Sequence, residues 1–112
     1  MVAERKDYIR QVEQAGEYET VAASQTAQVL GATGDKGDWI EGVLIVPAIV
    51  ACGAVTLTDG STAITLFVGG GTTALVDAKP FYVRLGMRSV TGAWKITTGA
   101  SVSVIAVGNF AA

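Results

Sequence analysis

The chain has 112 residues, half of them apolar and only 16% charged, with a net charge of −2. That length fits one domain with one modest core, and the charge balance offers no electrostatic footprint for nucleic acid. There is no histidine and a single cysteine, Cys52, which removes the commonest general base, the commonest metal ligand and any intrachain disulfide.

The charges are unevenly distributed. Residues 1–19 hold five acids and three bases, whereas residues 20–112 hold five of each. The first segment is read as an N-terminal arm (1–19) that binds a partner, and the rest (20–112) as the folded domain. Within the arm, residues 3–15 are the only helix-friendly stretch. Tyr8, Val12 and Ala15 fall on one narrow stripe, too thin to hold a short helix alone in water. Such a segment is either frayed or held by a partner. The charged N-terminus predicts no secretory leader, and the lone thiol suits a reducing cytoplasm.

From Glu17 onward the pattern has a period of two. Strands are predicted over Tyr18–Ala23, Ala27–Leu30, Trp39–Val46, Ala54–Thr58, Ala63–Val68, Pro80–Leu85, Ala93–Thr97 and Val102–Val107. Glycine-rich turns separate them, at the spacing of a sandwich or barrel. Asp59-Gly60 is read as the centre of a type I′ hairpin turn. Across it, Val55, Leu57, Ile64, Leu66 and Val68 should share one face. Val102, Val104 and Ala106 alternate with Ser101, Ser103 and Ile105, and Trp94 and Ile96 with Lys95 and Thr97. The run Val43–Val46 is apolar on both faces and needs an outer cover, supplied by a neighbouring protomer or by the chain's own loops. It contributes to the longest apolar stretch, which Pro47 and Gly53 interrupt well short of a membrane span. The fold class is therefore all-β: one β-sandwich, jelly-roll-like or immunoglobulin-like, preceded by an arm.

Side chains with chemistry are few. Asp35, Asp38, Asp59 and Asp77 sit in or beside turns, where aspartates cap backbone. A calcium site in the loop 35–38 has only two acids with Lys36 between them. Gly69-Gly70-Gly71-Thr72 lacks the lysine of a phosphate loop. Cys52 has small apolar neighbours and reads as a buried thiol. Arg84, Arg88 and Lys95 are a candidate basic patch near Tyr82 and Trp94, and Trp39 and Trp94 are candidate sugar platforms. The expectation is a protein that is not an enzyme, with no cofactor and no metal, and with neither nucleic acid nor membrane as partner.

Three stretches carry a family resemblance: TAQVLGATGDKGDWIEGVLIVP (26–47), GAVTLTDGSTAITLFVGG (53–70) and KPFYVRLGMRSVTGAWKITTGASVSVIAVGNF (79–110). Together they resemble small decoration, or cement, proteins of tailed bacteriophages. The likeness covers about residues 20–110 and lies in the order of strands and turns, not in a catalytic signature. It implies a virion protein on the outer capsid surface, assembled in the host cytoplasm. Such a protein is a homotrimer that binds across neighbouring major capsid proteins and stabilises the shell. On that reading Arg5, Lys6, Tyr8, Ile9, Arg10 and Val12 are the capsid contacts, and Val43, Ile45, Val102, Val104 and Ile105 the oligomer interface. The alternative is a glycan- or receptor-binding β-sandwich module of a phage tail or surface structure, built on Trp39 or Trp94.

Overall fold

In the computed structural model the described residues are 17–69 and 79–111. The six arm residues expected at the capsid, the glycine run beyond Gly69, and Asp77 lie outside them. Eight strands form, one for each predicted: β1 (Glu17–Val21), β2 (Gln28–Val29), β3 (Trp39–Pro47), β4 (Val55–Asp59), β5 (Thr62–Phe67), β6 (Phe81–Arg88), β7 (Trp94–Thr98) and β8 (Val102–Asn109). β1 starts at Glu17 and pairs with β8 from its first residue, so residues 17–19, counted above with the arm, belong to the sheet.

The strands make two four-stranded sheets, ordered β1-β8-β3-β6 and β2-β7-β4-β5. The pairs 1–8, 2–7, 3–6 and 4–5 are nested, all antiparallel. This is the order obtained when one long hairpin of strand pairs is rolled so that β3 meets β8 and β4 meets β7. It is jelly-roll order within a β-sandwich.

The core lies between the sheets and follows the period-two pattern. Val21, Ile40, Val43, Ile45, Val102, Val104 and Ala106 enter it from the first sheet, and Val55, Leu57, Trp94 and Ile96 from the second; all are at most 1% exposed. Cross-strand pairing aligns Val21, Val104, Ile45 and Phe81 in one inward row. Trp94 seats its ring in this core because its indole N–H finds an acceptor, the carbonyl of Asp38, at 2.8 Å. Cys52 is buried, as expected of a structural thiol.

Three local expectations change. The β4–β5 turn has Gly60 and Ser61 at its centre, since Asp59 still pairs with Thr62. Gly60 has φ +61° while Ser61 keeps negative φ, the pattern of a type II′ turn. A bulge between Val55 and Thr56 sets Val55 against Phe67. Phe67 therefore packs edge-on against Phe81, with ring centroids 5.2 Å apart, and Val68, expected on the inward face, is 82% exposed. Finally, β6 continues past Leu85. The register shift beside Glu41 is accommodated by Gly86 at φ +59°, a conformation that lets the strand bulge and resume.

Candidate interaction surface

The two outward faces of the sandwich are chemically different. On β2-β7-β4-β5 the outward positions are mostly polar, Thr56, Thr58, Thr65, Lys95 and Thr97, with Val29 and Ala63 among them, aligned by the pairs Thr56–Thr97, Thr56–Thr65, Thr58–Lys95, Thr58–Ala63 and Val29–Lys95. This is the polar exterior that a half-buried sheet normally turns to water. On β1-β8-β3-β6 the outward rows are instead Thr20–Ile105–Leu44–Tyr82 and Tyr18–Val107–Gly42–Arg84, followed by Ser103–Val46. Aliphatic side chains fill the centre. Tyr18, 73% exposed, and Tyr82, 47% exposed, stand to either side.

Charge is confined to one margin of this face. Arg84 Nε lies 3.2 Å from Glu41 Oε2. Arg88 stands over the Trp39 ring at 5.8 Å and donates to the Gly37 carbonyl. The Tyr82 ring lies across Gly42, where any Cβ would collide with its hydroxyl. Burial raises the pKa of that hydroxyl above the ordinary tyrosine value; the Glu41 carboxylate pushes it further and Arg84 opposes. An apolar centre rimmed by tyrosine, tryptophan and arginine has the composition of a protein–protein contact.

Four of the five residues expected at an oligomer interface do not reach this surface. Val43, Ile45, Val102 and Val104 are enclosed in the protomer's own core; their neighbours Leu44, Val46 and Ser103 face outward instead. Only Ile105 of the five is on the outer face. The expectation therefore placed core residues on the surface. In β8 the serines alternating with Val102 and Val104 carried the signal: buried positions are valine and alanine, so Ile105 and Val107 are outward. In Val43–Val46 no such signal exists, because four aliphatic residues read identically in either phase.

The remaining candidates have structural roles or separate in space. Arg84 and Arg88 are on the first sheet and Lys95 on the outer face of the second, so they do not form one basic patch. Trp94 is 1% exposed and offers no platform to a sugar, which leaves Trp39 with Arg88 over its ring. In the loop 35–38, Asp38 Oδ2 accepts from the Asp35 and Ala111 backbone N–H groups and Asp35 Oδ1 from that of Lys36. These carboxylates cap backbone, and among the described residues no cluster of metal-ligating side chains occurs.

Asp59 was read as a turn residue and its larger role was missed. Its carboxylate accepts the backbone N–H groups of Val90, Thr91 and Gly92 at 2.9, 3.0 and 3.2 Å, tying the β6–β7 loop to the end of β4. Burial pushes its pKa up, but these three donors and the Thr91 hydroxyl outweigh burial and hold it below the ordinary aspartate value. Glu19 acts similarly at the opposite margin, accepting from Gly31 N at 2.7 Å and Gln28 Nε2 at 3.1 Å. It stitches β1 to the other sheet and lines a cleft of about 240 Å³ with Glu17, Tyr18, Gly31, Ala32 and Phe110.

No protein-family model matches the chain, and no curated protein or solved structure matches it.

Proposed function

We propose that this chain is a structural virion protein that decorates and stabilises the capsid of a tailed bacteriophage, binding across neighbouring major capsid proteins as a homotrimer. The observation that supports this reading is the contrast between the two outer faces. One is threonine-rich and suited to water; the other is aliphatic at its centre and aromatic at its edges, with Leu44, Val46, Ile105 and Val107 half-buried among the described residues. A rigid jelly roll with one such face is suited to assembly. The family resemblance supplies the kind of assembly.

The mechanism is additive. Each protomer brings a charge-dense terminal segment, with Arg5, Lys6, Tyr8, Ile9, Arg10 and Val12 as the capsid contacts. One such contact is weak. Three joined copies convert the second and third contacts into intramolecular events, and avidity rises by about 10²-fold or more.

Co-sedimentation with mature heads of the phage that encodes the protein tests this. The full chain should bind saturably, and deletion of residues 2–16 should abolish binding while Trp94 fluorescence remains that of the folded sandwich. The reading fails if the full chain does not sediment with heads, and the arm assignment fails if the shortened chain still saturates them.

A further inference from the structure

We infer that the outer face of β1-β8-β3-β6 is the surface through which this chain associates with another copy of itself, with Ile105, Leu44, Val107 and Tyr18 at the contact. It goes beyond the trimer proposed above: a match of like with like is two-fold and joins copies in pairs, a contact separate from any three-fold one.

Three observations select a second copy. The first is area. Four strands about 4.8 Å apart, with central strands of eight or nine residues rising about 3.3 Å each, present a face of roughly 500 Å². One such face against another buries about 1,000 Å² in total, near the floor for specific association. A match of like with like needs nothing beyond what one chain already displays.

The second is charge. One margin of the face carries both signs, Glu41 with Arg84 and Arg88. A surface of mixed sign is complementary to itself. A patch built for a strongly charged partner would show one sign in excess.

The third is the shape of the centre. Ile105 and Leu44 are directly paired across β8 and β3, and Gly42 beside them leaves room for the Tyr82 ring to lie down on the sheet. The face is therefore levelled where a second sheet would stack, at the spacing of about 10 Å at which sheets pack.

The test is the solution mass of the full chain by light scattering across concentration, up to the ~1 mM range that an interface near 1,000 Å² reaches. The wild-type mass should double as concentration rises, to an even multiple of 11.5 kDa. Ile105→Glu, which places a carboxylate at the centre of the face, should weaken self-association at least tenfold with Trp94 fluorescence unchanged. Tyr18→Glu, at an exposed position on the edge strand, should weaken it in the same direction and serves as the readout if Ile105→Glu does not fold. Lys95→Glu, on the opposite sheet, should leave the mass as it is. The inference is overturned by a wild-type mass that never doubles, by both face variants keeping the wild-type mass, or by Lys95→Glu dissociating the protein equally. None of these readouts involves a capsid. Loss of head binding with self-association intact would sink the decoration reading alone, and a trimer that coats heads but whose mass never doubles would sink this inference alone.

Discussion

The sandwich has two exteriors made from equally β-prone sequence. Thr56, Thr58, Thr65 and Thr97 on one sheet and Leu44, Val46, Ile105 and Val107 on the other occupy equivalent outward positions, flanked by core residues on either side in the chain. Threonine and valine have nearly the same shape and both favour the extended backbone. Folding one chain therefore does not require the aliphatic choice. Threonine at position 107 would satisfy β3 and β8 as well as it satisfies β4 and β7. The difference teaches that the first sheet is apolar toward both of its faces, and the second copy proposed above is what would meet the outer one.

The largest expected effect sets Leu44 against Ile45. They are adjacent, of equal volume, and point to opposite sides of β3. Ile45 is fully enclosed, so Ile45→Ala should cost about 3 kcal/mol, part transfer and part cavity. Leu44→Ala should cost about 1–2 kcal/mol in the isolated protomer, less than Ile45→Ala, because Leu44 is only half-buried and its removal leaves no enclosed cavity. Urea melts at low protein concentration measure both. At high concentration the Leu44 variant should also lose the concentration dependence of the wild-type midpoint, as linkage to self-association requires. Equal costs for the two would mean that the outer layer is already filled within one chain, and the contrast would collapse.

The next effect concerns what holds the margins of the sandwich rather than its faces. Asp59→Ala strips the acceptor from three backbone N–H groups in the β6–β7 loop and should cost about 2–3 kcal/mol. A pH signature accompanies it. The folded carboxyl sits below the ordinary aspartate value, so the unfolded chain takes up its proton first as pH falls. The stabilisation is complete above about pH 4 and is lost as pH drops through the lower folded value. Wild-type melts should thus decline below about pH 4 more steeply than those of Asp59→Ala. Parallel curves for the two would show that other carboxylates carry the acid sensitivity.

All eight strands were readable because each carries period-two alternation or a β-branched run between glycine turns. The alternation of Trp94 and Ile96 with Lys95 and Thr97, and of Val102, Val104 and Ala106 with Ser101, Ser103 and Ile105, was legible for that reason, but which side faces the core was not, and Val102 and Val104 were expected at an outer interface. What was not readable depended on long-range pairing. Nesting of β1 with β8 is fixed by contacts some eighty residues apart, and no local pattern encodes it. The outer surface was half readable. Ile105 and the apolar excess of Val43–Val46 pointed to the sheet whose outer face is apolar, yet the phase of that run was decided by its neighbours, and Tyr18 and Tyr82 gained meaning only beside Val107 and Leu44. Asp59 looked like a turn former because it is next to one; its three acceptor bonds come from a loop thirty residues away.

The smallest effect tests how the apolar sheet keeps its margin in place. Past Leu85 the strand β6 is interrupted in register, and Gly86 holds φ +59° there. The nearest atoms to a Cβ at this position belong to the Trp39 ring at 3.8 Å, an ordinary contact, so a methyl would fit. The cost of Gly86→Ala is therefore conformational and should be about 1 kcal/mol. Two consequences separate it from Asp59→Ala. Its stability loss should not depend on pH, since no titrating group is removed. It should also disturb Arg88 and Trp39, which the bulge holds together at the rim, and so shift the fluorescence of Trp39 while buried Trp94 stays as it was. A stability loss with an unchanged spectrum would mean that the bulge serves only to end the register, and that the aromatic and arginine rim of the outer face is positioned by β3 alone.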